Sequence, residues 1–290
     1  MMFLLQRKLF RFLLVVLVVY VTVALEGSRS EKLVEVQSLV YDAQMGNAGK
    51  SLEALQQIIY KAIDPAYHGL VVKAGALPIL VKQLHVGSEE AKLAACTALG
   101  ALTADEGDRL KIGEIKAAES LLVLLKDTKV ELRLASLQTL GNLMQDQIGQ
   151  QQLIEAGGAE QLVSLLSDNN EQIRRVAAGT IGNIAIQSEY IPTLVTAGCV
   201  AGLVDLLRQE SIINFDPQTA EVTVGALRNL VQLDEALVAM IEAGSTQVLE
   251  VLLEDTDNTE DARILANELL DFVTQYEGES EANLNLEDEL

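Results

Sequence analysis

The sequence predicts an all-α fold, a solenoid of stacked helical repeats, and three observations carry that expectation. The phrase Leu140-Gly141-Asn142-Leu143 returns as Ile181-Gly182-Asn183-Ile184 after 41 positions and as Leu227-Arg228-Asn229-Leu230 after a further 46. Self-similarity at that period marks an array of helical repeats. The composition agrees: 49% of the 290 residues are hydrophobic, only 4% are aromatic, Trp is absent and Pro occurs four times. That is the make-up of aliphatic helices rather than of short strands. Finally, Ala-Gly recurs at Ala74-Gly75, Ala156-Gly157, Ala197-Gly198 and Ala243-Gly244. Glycine at such a point can take the left-handed conformation that ends a helix.

The line of positions extends both ways. Stepping back 41 residues from Asn142 reaches Ala101 in Leu99-Gly100-Ala101-Leu102, and another 41 reaches Tyr60. Stepping forward 42 from Asn229 reaches Asp271 in Leu270-Asp271-Phe272-Val273.

Residues 1–25 read as a secretory signal peptide or a short anchor. Arg7, Lys8 and Arg11 precede an apolar run from Phe12 to Leu25, and Thr22-Val23-Ala24 ends it with a small residue where a signal peptidase could cut. Fourteen residues rise only about 21 Å as a helix, short of a hydrocarbon core of about 30 Å. At the other end, Glu287-Asp288-Glu289-Leu290 resembles the Lys-Asp-Glu-Leu retention signals, with Glu287 in place of the basic residue. The alternative is an acidic tail that happens to end in Leu. The expected location is the endoplasmic reticulum lumen or the exterior of the cell. Membrane attachment follows only if the first segment stays uncleaved.

Residues 31–65 are expected to form N-terminal capping helices. Leu33, Val34, Val36, Leu39 and Val40 have helical spacing, Gly46 and Gly49 interrupt it, and Ser51 is placed to cap a helix from Leu52 to Ile63. Residues 66–276 then repeat three beats: a short helix stopped at Ala-Gly, a second helix ending in Leu-Leu, and a long third helix. The third helices are expected at Glu89–Ala104, Val130–Gln145, Glu171–Gln187, Gln218–Leu233 and Glu260–Tyr276. Lys116-Ala117 stands where the second repeat should have Ala-Gly. Arg208 to Pro217 lengthens one period by five residues, and its Ile212, Ile213 and Phe215 either cover a seam or form a docking loop. Residues 277–290 are expected to be an acidic disordered tail.

This order of helices, with an Asn on the long third one, resembles the armadillo repeat over Ser51 to about Tyr276. The resemblance implies a right-handed α-solenoid of three-helix repeats whose third helices line an inner groove. In peptide-binding relatives the central Asn grips a peptide backbone through its amide, a role that would pass to Asn142, Asn183 and Asn229. Tyr60, Ala101 and Asp271 depart from it. Relatives that import nuclear cargo carry Trp one turn before the Asn; Gln138, Gly179 and Gly225 stand there in this chain, which argues against that cargo.

Residues four before and four after each centre share its face. The rungs are then Gln56, Tyr60, Asp64; Thr97, Ala101, Asp105; Gln138, Asn142, Asp146; Gly179, Asn183, Gln187; Gly225, Asn229, Leu233; and Asn267, Asp271, Gln275. The acids Asp64, Asp105, Asp146 and Asp271 would make the groove negative and suited to a basic ligand. The competing role for the Asn line is an inter-helix hydrogen bond.

The charge excludes one class of partner. A net charge of −21 lacks the Lys and Arg clusters that phosphate neutralisation needs, so no nucleic acid is expected. Catalytic, metal and cofactor motifs are missing: the only histidines are His68 and His85, no Cys-x-x-Cys occurs, and Gly75 to Pro78 has no following Gly-Lys-Ser/Thr that would make it a phosphate loop. Cys96 and Cys199 are expected as buried free thiols. The expectation is a non-catalytic scaffold binding a protein or extended peptide, with no cofactor. The luminal Sil1-like nucleotide exchange factors for Hsp70 share this architecture and give a second expectation, and a membrane-anchored armadillo organiser gives a third.

Overall fold

Apolar residues at three- and four-residue spacing turn into helix after helix, and among the described residues there is no strand. The computed structural model describes residues 26–64, 66–67, 69–210, 216–255 and 257–287. Residues 1–25, with the expected signal segment, lie outside the described residues. So do His68, Ile212, Ile213, Phe215 and the last three residues of the expected retention signal. Among the described residues no single helix is long and apolar enough to cross a membrane.

The chain divides into two compact units, one ending at Leu102 and the other starting at Thr103. The first contains α1 (residues 26–45), α2 (Ala48–Ile63), α3 (Leu70–Lys73), α4 (Leu77–Val86) and α5 (Glu89–Leu102). α2 and α4 both pack on α5, burying Leu55, Ile58, Leu80 and Leu99. Asn47, rather than Ser51, caps α2: its Oδ1 accepts from the Lys50 N–H at 3.1 Å. The helix therefore starts before Ser51, whose hydroxyl instead donates to the Ala43 carbonyl at 2.7 Å and ties α2 to α1. Glu35 of α1 completes this clasp by accepting from Lys61 Nζ at 2.6 Å and from the Tyr67 hydroxyl at 2.8 Å. Lys61 Nζ also stands 4.0 Å from the centre of the Tyr67 ring.

The second unit repeats the three beats. Its short and second helices are α6 (Glu106–Glu114) with α7 (Ala117–Leu124), α9 (Gln147–Glu155) with α10 (Gly158–Leu165), α12 (Ile191–Thr196) with α13 (Cys199–Glu210), and α15 (Asp234–Glu242) with α16 (Ser245–Glu254). The third helices α8 (Val130–Leu143), α11 (Glu171–Ile184), α14 (Pro217–Leu230) and α17 (Glu260–Glu287) pack side by side in that order. The glycine stops behave as their sequence context requires: Gly75, Gly157, Gly198 and Gly244 all have positive φ. Lys116 holds the same corner with φ 57°, so the repeat that lost its glycine kept the turn despite the Cβ.

Two boundaries differ from expectation. The third helices end sooner, at Leu102, Leu143, Ile184 and Leu230. The last one runs on to Glu287, so residues 277–287, expected as disordered tail, are helical. Gly278 is the one weak helix former at the junction, and Gln275 bridges it by donating to Glu279 one turn later at 2.9 Å.

Candidate functional site

Three third helices of the second unit, α8, α11 and α14, enclose a groove of about 630 Å³. Gln138, Gly141, Asn142 and Gln145 line it from α8, Arg175, Val176, Gly179, Thr180 and Asn183 from α11, and Gln218, Glu221 and Val222 from α14. The same face was expected to carry the binding line. It carries four of the expected rung residues, Gln138, Asn142, Gly179 and Asn183.

The asparagines do two things at once. Asn183 Nδ2 donates to the Gly141 carbonyl at 3.3 Å, and Asn229 Nδ2 to the Gly182 carbonyl at 3.1 Å. Asn142 Nδ2 donates to Thr103 Oγ1 at 2.9 Å. Asn183 and Asn229 therefore tie their helices to the preceding repeat, and Asn142 ties α8 to the segment leading into α6. A primary amide has two N–H groups and a carbonyl oxygen, so one N–H and the oxygen are left over at each. All three side chains are half-buried.

The glycine of the repeated phrase explains how the helices come close enough for these bonds. A Cβ on Gly182 would lie 3.2 Å from the Ala226 Cα, and one on Gly141 3.0 Å from Thr180 Oγ1. Glycine presents a bare backbone and an accessible carbonyl, and the Asn of the next repeat reaches it. Gly179 is different: a Cβ there meets only Val222 Cγ1, at an ordinary 3.4 Å. Its missing side chain opens the groove rather than closing a helix contact.

The expected acids are elsewhere, for one reason. Because the helices end early, the residue four after the centre is no longer helical and becomes the cap of the next helix. Asp105 caps α6 by accepting from the Asp108 N–H at 3.0 Å. Asp146 stands at the N-terminus of α9, and its carboxylate accepts from Arg109 Nε, a pair with both side chains mostly buried. Neither is available to charge the groove. Asp271 lies within the uninterrupted α17 and is exposed. Tyr60 is 75% exposed on α2, in the first unit.

Charged groups that sequence reasoning missed are mostly paired. Arg175 in the groove donates to Asp216 at 2.9 Å and to Gln218 Oε1 at 3.1 Å. Burial pushes the Asp216 carboxyl up, but hydrogen bonds from the Thr219 hydroxyl and the Gln218 and Thr219 N–H groups, with the Arg175 charge, hold it below the usual carboxylate range. Glu221 accepts from the Thr259 hydroxyl at 2.8 Å. Outside the groove Arg133 grips Asp168 through two nitrogens, with Nε–Oδ2 at 3.0 Å and Nη2–Oδ1 at 3.1 Å. Arg109–Asp146, Arg133–Asp168 and Arg175–Asp216 thus each join successive repeats. Their separation of 35 to 41 residues is the only sequence signal that could have revealed them.

Comparison with known proteins agrees with this geometry. The armadillo/beta-catenin-like repeat model matches residues 69–104 and 146–186. No curated protein matches the chain in sequence. Among solved structures, a designed armadillo repeat protein is similar at 27% identity with a TM-score of 0.74, covering 82% of this chain and 99% of that one. Another, solved in complex with the peptide (KR)4, gives 27% identity, a TM-score of 0.75 and the same coverage. A third, designed for modular peptide recognition, covers 81% of this chain and 98% of that one at 27% identity and a TM-score of 0.75. Two of its repeats match the armadillo/beta-catenin-like repeat model, and over most of its length the chain shares the fold of armadillo solenoids.

Proposed function

We propose that the protein is a non-catalytic scaffold that holds an extended segment of a partner protein across α8, α11 and α14. The observation that carries this reading is the groove lined at repeat intervals by amide side chains, among them Gln138, Asn142, Asn183 and Gln218. An extended chain presents alternating N–H and C=O groups, and an amide head answers both. Neighbouring helices stand about 8–10 Å apart and an extended chain advances about 3.3 Å per residue, so each helix meets two or three ligand residues. The three helices together accommodate roughly six to nine.

Basic residues of the ligand belong toward the α14–α17 end. The exposed Asp271 stands there with Glu268, whose Arg228 partner is 3.5 Å away and largely solvated. The designed relative bound to (KR)4 supports a basic ligand for this scaffold type. Fluorescence anisotropy with ten-residue extended peptides, with and without two lysines at one end, tests the reading. The lysine-bearing peptides should bind more tightly at low salt, and the advantage should shrink as salt screens it. If no peptide binds a protein whose circular dichroism is fully helical, the groove is not a peptide site.

A further inference from the structure

We propose that the centre of this groove selects an uncharged aliphatic side chain of the ligand, seated over Gly179 between Val176 and Val222. The inference rests on the peptide-groove reading above and adds its specificity. Four observations meet at this point. Gly179 contributes no side chain, and the recess it leaves is bounded by Val222, 3.4 Å from where a Cβ would stand. Val176, one turn earlier on α11, and Val222 are both half-buried, so each still shows apolar surface to a ligand. The Thr180 hydroxyl is spent on the Val176 carbonyl at 2.7 Å and offers its donor to nothing else.

The charged members of the lining each have one partner on the protein, Arg175 in Asp216 and Glu221 in the Thr259 hydroxyl. A lysine or glutamate side chain seated between Val176 and Val222 would leave water for two apolar walls and keep its charge answered only by reaching past them to Glu221 or Arg175. An aliphatic side chain loses nothing by leaving water there. Amides on either side hold the backbone, so the recess is left to read the side chain. Selectivity in the groove is therefore divided: basic residues favour the α17 end, and an aliphatic residue the centre.

The test uses the full chain and a series of ten-residue peptides, identical in sequence with two lysines at one end, that differ in one central guest: Leu, Val, Ala, Lys or Glu. Leu should bind about 15- to 50-fold more tightly than Ala, the factor that burial of two or three CH₂ groups brings, with Lys and Glu no better than Ala. Gly179→Leu fills the recess and should bring all guests to the level of Ala. Val222→Asp puts a carboxylate on its wall and should move the preference to Lys. Lys binding as tightly as Leu in the unaltered protein overturns the proposal while leaving the peptide groove standing. Absence of binding by the whole series overturns both.

Discussion

Asn229 Nδ2 donates to the carbonyl oxygen of Gly182, 3.1 Å away on the preceding third helix, and Asn183 repeats the bond to Gly141. The Gly-Asn pair is thus a stacking device in which each Gly accepts from the following repeat and each Asn donates to the one before. Replacing Asn183 or Asn229 by Ala should cost about 1 kcal/mol, the net worth of one such bond. Asp at either position sets an oxygen against the carbonyl and should cost more than Ala. Urea midpoints at neutral pH give the order, and an Asp variant as stable as wild type removes the bond from the account.

Two glycines on α11, three residues apart, should respond in opposite ways. Gly182 faces the Ala226 backbone, so Gly182→Val forces α11 and α14 apart at a cost of about 1–3 kcal/mol, as overpacking generally does. Gly179→Ala meets only ordinary contact with Val222 and gains helix propensity, so it should stabilise by about 0.5–1 kcal/mol. Thermal unfolding of the two variants should bracket the wild type. If both fall below it, the recess at Gly179 is tighter than described.

Periodicity made the fold legible because the repeats share the same apolar face, most of them a glycine stop, and two of them a close-approach glycine at Gly141 and Gly182. The groove face was legible too, since Gln138, Asn142 and Asn183 line it. The acids were misread because a constant step of four along a helix ignores where the helix ends. Asp105 and Asp146 sit just past the ends of α5 and α8, where the Asp105 carboxylate caps α6 and that of Asp146 takes Arg109. Arg175 and its Asp216 partner lie 41 residues apart, and no local pattern announces a pair between repeats. The amide bonds of Asn183 and Asn229 were foreseen only as an alternative to ligand binding, whereas one amide has groups enough for both.

Acid should weaken the α11–α14 junction through Asp216. Its carboxyl lies below the usual range in the folded chain, so the unfolded chain binds a proton there more readily. The stabilisation is complete above the unfolded value of about 3.9 and is lost as pH falls through the lower folded value. Asp216→Asn should lower stability at pH 7 and flatten its decline below about pH 4. Denaturation at a series of pH values provides the comparison. Parallel curves for variant and wild type would assign the decline to other carboxyls.

The two thiols report on the two units separately. Cys96 on α5 and Cys199 on α13 are buried and in no disulfide, and burial pushes each thiol up to about 12, with the Glu160 charge adding to the effect at Cys199. At pH 8 roughly one thiol in ten thousand would be ionised, and it is the thiolate that reacts. Iodoacetamide should therefore leave both unmodified in the native chain and label each only as its own unit opens. Mass spectrometry of peptides containing Cys96 or Cys199, taken across a urea series, yields two opening curves. Superimposed curves mean that the units open together, and separated curves that one opens while the other stays folded. Rapid labelling of either cysteine without denaturant would contradict its burial.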